Sequence, residues 1–201
     1  CDGLLVGAHK GNLIFTTTSE GNVVQNLYAI NGLGQIFHHE DIVSDLALRE
    51  SVMAYGKKLV ENRLIQATWG NVSARIDAER FLITPSGVDY DRIRPEDIVE
   101  IRIADGSFAA RQRPSSEREM HRRIYAARGD VRAVIHTHSA ALQTFAACRE
   151  SLRTPEIVAP CAAYGVSGSK KLAESASEVL RSHDLCIMAN HGFTAVAADL
   201  E

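Results

Sequence analysis

The chain has 201 residues, a formal net charge of -3, 45% hydrophobic residues and 23% charged ones. That length builds one full hydrophobic core with room for an appendage, and the weakly acidic balance excludes nucleic-acid binding as the main purpose. The apolar runs are far shorter than the roughly 20 residues of a membrane-spanning helix, and no basic-then-apolar leader opens the sequence. A cytoplasmic location is expected, with neither membrane nor nucleic acid as partner. Cys1, Cys148, Cys161 and Cys186 show no CxxC pairing, which predicts buried free thiols rather than a zinc knuckle or a disulfide framework.

Residues 1 to 41 alternate short apolar runs with Gly11-Asn12, Gly21-Asn22 and Asn31-Gly32, a rhythm of short strands or hairpins. The tract His38-His39-Glu40-Asp41 reads as a polar loop, because adjacent side chains diverge and do not gather on one ion. From Ile42 to Arg63 the apolar residues recur at helical spacing. Gly70 to Arg75 and Phe81 to Thr84 then predict a hairpin around the polar turn Asp77 to Arg80. Thr84-Pro85-Ser86-Gly87 breaks the second strand with hydroxyls and a glycine, a composition suited to an anion. Ile98 to Ile103 predicts another strand, and Asp105-Gly106 a tight turn.

The most informative stretch runs from Pro114 to Ser139. Ser115, Ser116 and Glu117 read as a helix start, with serine capping and an acid in the first turn. Met120, Ile124, Tyr125 and Ala127 mark the buried side of that helix. Gly129-Asp130 stops it, and Val131 to Ile135 is a buried strand whose end carries His136 and His138. Alternation past Thr137 puts both imidazoles on one face, where a single ion can bridge them. Further on, Ala140 to Cys148 and Ser169 to His183 predict helices, and Leu185 to Met188 and Phe193 to Ala197 predict strands. Between those strands, Asn190-His191-Gly192 adds a third histidine at a strand end. Three imidazoles are the ligand number of a catalytic zinc site with an open position. Glu117 keeps three readings at this level: a first-turn residue, a fourth ligand, or a general base. His9, His121 and His183 read as surface or core residues, and Arg111, Arg113, Arg118, Arg122 and Arg123 as a solvated face with at most one anion contact.

Five ordered segments carry a family resemblance: Gly70 to Arg75, Ile83 to Gly87, Pro114 to Glu117, His136-Thr137-His138 and Asn190-His191-Gly192. From about Leu46 onward the chain resembles the class II aldolase/adducin family, as in L-fuculose-phosphate aldolase-type enzymes. The resemblance implies an α/β single domain over residues 42–201, with a central, mainly antiparallel sheet flanked by helices. Residues 1–41 form an N-terminal β-rich segment outside it. It also implies a homotetramer with active sites at subunit interfaces. His136, His138 and His191 become ligands of one divalent cation, usually Zn2+, and Glu117 the catalytic acid/base. Gly70, Asn71, Thr84, Ser86, Gly87, Ser115 and Ser116 become substrate-binding residues that hold the phosphate of a phosphorylated sugar.

The implied reaction is retro-aldol cleavage of a ketose phosphate to dihydroxyacetone phosphate and an aldehyde, the cation stabilising an enediolate by Lewis acidity. Alternatives within the family are a pentulose-phosphate 4-epimerase and a related decarboxylase or dehydratase; outside enzymology stands an adducin-like interaction domain. Two departures bear on these expectations. Family aldolases supply a tyrosine between the HxH pair and the third histidine, and there the sole tyrosine, Tyr164, sits in an AAYG context that matches a different segment. The residues Asp199-Leu200-Glu201 fall where relatives enter a C-terminal helix, so a shortened or different end is expected.

Overall fold

A computed structural model describes residues 2–9, 12–19, 23–30, 36–108 and 112–200, and before residue 46 its backbone elements alone. It divides into two compact units, Cys1–Ala47 and Leu48–Glu201. In the first unit β1 (Asp2–His9), β2 (Asn12–Ser19), β3 (Val23–Ile30) and β4 (Ile36–His38) form an antiparallel sheet in chain order. The turns expected at Gly11, Gly21 and Asn31-Gly32 lie outside the described residues, as does Cys1. The polar loop expected over His38 to Asp41 is instead the end of β4 and the first turn of α1 (His39–Glu61). Adjacent polar residues at a helix start read like a loop, because that end is the least apolar part of an amphipathic helix.

The second unit is built on a seven-stranded sheet. Its strands are β5 (Asn71–Arg75), β6 (Arg80–Ile83), β7 (Val99–Arg102), β8 (Ala133–Thr137), β11 (Cys161–Ala162), β12 (Leu185–Met188) and β13 (Gly192–Ala197), in the order β11-β12-β13-β8-β5-β6-β7. Every pairing is antiparallel except β11 with β12. A separate two-stranded ribbon joins β9 (Leu152–Arg153) to β10 (Val158–Ala159). Helices α2 (Arg118–Ala127), α3 (Ala140–Cys148) and α4 (Lys170–Val179) complete the unit. The α/β architecture with a mainly antiparallel central sheet is therefore as the sequence implies.

Two apolar clusters cover the sheet. Phe81, Ile83, Val99, Ile101 and Val134 meet Met120, Ile124 and Tyr125 of α2 and Leu172 and Ala176 of α4. Val72 and Ala74, with Leu82 that alternates with Phe81 and Ile83 along β6, meet Val52 and Leu59 of α1 with Tyr90, Ile93 and Ile98. A smaller cluster sets Ala146 of α3 against Ala159 and Ile187. Among the described cysteines, Cys148, Cys161 and Cys186 are free, as the spacing predicts, but of the three only Cys186 is buried as expected; Cys148 is exposed and Cys161 half-buried.

Strand β5 is buried along its whole length, yet its alternate residues Asn71, Ser73 and Arg75 are polar. Period-two alternation sends these three to the side opposite Val72 and Ala74, where all meet α2 or the turn after it. Arg75 Nε donates to Val131 O at 2.9 Å, and its Nη2 donates to Tyr125 O at 2.6 Å and Arg128 O at 2.9 Å. The guanidinium thereby satisfies carbonyls left open at the end of α2, and its charge complements that end of the helix dipole. Replacing it with methionine keeps much of the apolar stem and leaves those buried carbonyls unpaired. We expect Arg75→Met to lower stability by about 2–4 kcal/mol, read from urea unfolding of metal-free protein; a loss below about 0.5 kcal/mol contradicts this role.

Candidate active site

Strand pairing brings the site together. In the sheet His136 lies opposite Asn71 on one side and opposite Thr194 on the other. His136 is fully buried, and its Nδ1 is 3.0 Å from Phe193 O. A carbonyl only accepts, so the imidazole hydrogen sits on Nδ1 and the bare Nε2 faces inward. That Nε2 is 2.9 Å from His138 Nε2 and 3.1 Å from Glu117 Oε2.

His191 arrives from the tight turn between β12 and β13. Asn190 holds a left-handed φ of 53° there, a conformation asparagine tolerates better than most residues. Helix α3 fixes this turn: Asn190 N donates to Ala146 O at 2.7 Å and Arg149 Nε donates to Asn190 Oδ1 at 2.8 Å. Gln143 of the same helix donates to His191 O at 2.8 Å, with the same nitrogen 3.0 Å from His138 Nδ1. Gly192 follows, and a Cβ there would lie 2.6 Å from Thr137 O and 2.9 Å from His136 Cε1. Only a glycine lets β13 pass so close to the ring.

The three histidines offer ligand nitrogens that all lie within 4.8 Å of one another. Among the described buried side-chain polar atoms, His191 Nε2 alone has no hydrogen-bond partner; it is 2.7 Å from Glu117 Oε1, off the line of a hydrogen bond. Two imidazole nitrogens thus crowd a carboxylate, His136 Nε2 without a hydrogen and His191 Nε2 without a hydrogen bond, an arrangement that a cation resolves. Nitrogen donors in this number suit a zinc-like divalent ion.

Glu117 departs from its expected place. Helix α2 starts at Arg118, Glu117 occupies the N-cap, and its side chain makes no capping bond; Ser115 Oγ instead accepts from Glu117 N at 3.2 Å. The carboxylate turns inward and is 6% exposed as a residue. Burial pushes its pKa up, but His136, His191 and the Asn71 amide outweigh burial and hold it well below the usual carboxylate range. Burial and then the neighbouring imidazoles bring His138 down to about 4.

The seven residues expected to hold a phosphate divide. Ser86, Gly87 and Ser116 are exposed and Gly70 half-buried, whereas Asn71, Thr84 and Ser115 are buried. Thr84 Oγ1 accepts from Val72 N at 3.2 Å, a lock between strands. The Thr84–Gly87 and Pro114–Ser116 loops run side by side through Ser86 N to Arg113 O at 2.8 Å and Ser115 N to Thr84 O at 3.1 Å. Four residues unmarked by the motifs also stand at the site. Gln143 is one; Ser167 Oγ donates to Glu117 Oε1 at 3.3 Å; Trp69, exposed, has its ring 6.0 Å from His138. His121 is the fourth, fully buried with Nε2 2.5 Å from Asn71 Oδ1. Ala127, which the apolar spacing puts on the buried side of α2, is exposed. Tyr164 is 45% exposed.

With this geometry in view, the class II aldolase and adducin N-terminal domain matches residues 50–201. The chain belongs to this family. It is 34% identical over 162 residues to the 5-deoxy-D-ribulose 1-phosphate aldolase of Bacillus thuringiensis serovar kurstaki, covering 76% of each chain. It is 28% identical over 171 residues to the 3-oxo-tetronate 4-phosphate decarboxylase of Haemophilus influenzae, covering 79% of this chain and 80% of that one. A solved L-fuculose 1-phosphate aldolase structure matches with a TM-score of 0.72 at 34% identity, covering 76% of each chain. No helix among the described residues is long and apolar enough to cross a membrane.

The buried imidazoles leave a mark on stability. Burial, then the neighbouring His136, hold His121 at a folded pKa of about 3, against about 6.5 in an unfolded chain. Between those values the unfolded state binds the extra proton, so stability is full above pH 6.5 and falls as pH drops toward 3, by at most about 1.4 kcal/mol per unit from this residue. Urea unfolding of metal-free protein at pH 7 and pH 5 should show a smaller pH effect in His121→Gln than in the native chain. Equal effects contradict a neutral, buried imidazole.

Proposed function

We propose that this chain is a divalent-metal-dependent lyase that cleaves a ketose 1-phosphate to dihydroxyacetone phosphate and an aldehyde. The observation that carries the reading is the convergence of three histidine nitrogens within 4.8 Å of one another, two of them beside the buried Glu117 carboxylate. A binding module has no use for that cluster, whose burial without a cation is unfavourable. Its resemblance to aldolases of 5-deoxy-D-ribulose 1-phosphate and L-fuculose 1-phosphate supports the substrate class. Zinc as the metal, a homotetramer and cytoplasmic residence enter this proposal through the family resemblance alone.

His136, His138 and His191 hold the cation. When bound, it supplies Lewis acidity toward the substrate carbonyl oxygen, stabilising negative charge as the carbon-carbon bond breaks. Glu117 carries the proton. In condensation its carboxylate removes a proton from the carbon beside the carbonyl, and in cleavage it returns one to the same carbon. The lowered pKa of Glu117 keeps it ionised, the form a base needs. The loops at Thr84–Gly87 and Pro114–Ser116 offer hydroxyls, a glycine turn and the start of α2 to the phosphate.

Purified protein should contain about one divalent ion per chain by elemental analysis, lost in the His136→Ala/His138→Ala double variant. A well-folded native protein that takes up no metal favours an adducin-like module. Glu117→Gln should retain metal and fold while proton exchange at the substrate carbon falls at least about 100-fold; unchanged exchange removes Glu117 from the mechanism. Incubation with 5-deoxy-D-ribulose 1-phosphate, L-fuculose 1-phosphate and 3-oxo-tetronate 4-phosphate separates the remaining readings. Release of dihydroxyacetone phosphate supports the lyase, an altered epimer the epimerase, and release of carbon dioxide the decarboxylase.

A further inference from the structure

Behind Glu117 runs a line of buried polar side chains that the proposed reaction does not use directly. Asn71 Nδ2 is 3.2 Å from Glu117 Oε2, and Asn71 Oδ1 is 2.5 Å from His121 Nε2. On the other side of that ring, His121 Nδ1 is 2.6 Å from Ser73 Oγ, which is 2.8 Å from the Tyr125 hydroxyl. Asn71, Ser73, His121 and Tyr125 are each 4% exposed or less.

Donor and acceptor accounting fixes every direction in this line. A carboxylate only accepts, so the Asn71 amide nitrogen donates to Glu117; the reversed amide would press two oxygens together. Asn71 Oδ1 then accepts from His121 Nε2–H. A neutral imidazole has one hydrogen, so His121 Nδ1 accepts, and its donor is the Ser73 hydroxyl. With its hydrogen committed, Ser73 Oγ accepts from Tyr125. The competing acceptor for Tyr125, Arg132 O, is farther away at 3.5 Å.

We propose that Tyr125, Ser73, His121 and Asn71 form a one-way donor chain that positions the Glu117 carboxylate, with Ser73, His121 and Tyr125 acting through Asn71. This rests on the reading of Glu117 as the group that moves the proton. The chain has two consequences. It holds Oε2 from the side away from the bulk solvent, so a side chain with several free torsions keeps one orientation without help from substrate. It also ends on an amide, which accepts no proton, so a proton taken up by Glu117 returns to the substrate side and does not pass inward. Low burial cost for the whole line follows from its completeness, because no member lacks a partner.

The test uses zinc-loaded protein and dihydroxyacetone phosphate, with exchange of its carbon-bound hydrogen for deuterium followed by NMR. Ser73→Ala should slow turnover about tenfold, with KM within about twofold and bound metal unchanged. Tyr125→Phe should slow it about threefold, and it carries the comparison if Ser73→Ala does not fold. In a Glu117→Gln background the same substitutions should change the residual rate by less than about twofold. Equal losses in both backgrounds, or a raised KM with turnover intact, overturn the proposal and leave a merely structural network.

A second reading needs no substrate. In metal-free protein labelled with 15N-histidine, the His121 signals, assigned by their loss in His121→Gln, should report a hydrogen on Nε2 and none on Nδ1. A hydrogen on Nδ1 reverses the chain and overturns the proposal. If native protein exchanges nothing with dihydroxyacetone phosphate, the proposed function fails, and the histidine spectrum still decides the direction of the chain.

Discussion

The second unit depends on a match of pitch between one strand and one helix. Glu117 at the N-cap of α2 and His121 and Tyr125 along it stand four residues apart, a spacing of about 6.0 Å per step in a helix. Asn71, Ser73 and Arg75 stand two apart on β5, which spaces them by about 6.6–6.8 Å. The near equality lets the two rows face each other rung by rung over their short length. Asn71 meets Glu117, Ser73 meets His121 and Tyr125, and Arg75 meets the carbonyls of Tyr125 and Arg128. A helix held by polar rungs cannot slide by one residue without leaving several buried groups unpaired, at about 1–3 kcal/mol each. Apolar packing around Met120 and Ile124 supplies the burial, and the rungs supply the register.

That register places Glu117 where the histidines converge. The same sheet that aligns Asn71 with Glu117 aligns Asn71 with His136 in the next strand, so metal ligand and carboxylate are set by neighbouring rungs of one framework. His191 is set separately, by the end of α3 acting on the Asn190 turn. The cluster is consequently rigid in a state that electrostatics alone disfavours. A buried carboxylate beside two imidazole nitrogens that are not both paired gains more from a cation than a flexible site would, because little ordering remains to be done when the ion binds.

The histidine cluster was legible from the amino-acid order because alternation at a strand end leaves little choice about where His136 and His138 point. The hairpin at Asp77 to Arg80, α3 and the β12–β13 pair followed from the same periodicities. What the pattern hid was the polar face of α2. Apolar spacing picked Met120, Ile124 and Tyr125 as buried together with Ala127, which is exposed, and left His121 open between surface and core, since a histidine beside hydrophobic positions reads either way until its partners are known. Those partners, Asn71 and Ser73, lie some 50 residues earlier, on a strand whose sequence does not show which helix its polar side will meet. The signal available was joint: polar residues at i, i+4 and i+8 on one element and at i, i+2 and i+4 on another. Neither row is informative alone. The start of α1 was misread for a simpler reason, because a polar first turn and a loop share the same composition.

The division between buried and exposed parts also bears on how one framework serves several reactions. Retro-aldol cleavage and loss of carbon dioxide from a 3-oxo acid both leave electrons on the carbon beside a carbonyl, with the charge delocalised to oxygen. Both then require a proton at that carbon. Under the proposed mechanism the cation site and Glu117 answer those shared demands, and they are the parts held by buried rungs. Substrate differences fall on other atoms, and the groups free to meet them are at the surface: Trp69 beside His138, and Ser86, Gly87 and Ser116 on the two adjoining loops. A change there alters no rung, so selectivity can vary at small cost in stability, whereas a change at Asn71, Ser73 or His121 disturbs fold and chemistry together. The family relatives that act as aldolases and as a decarboxylase are what such a separation of tasks would produce.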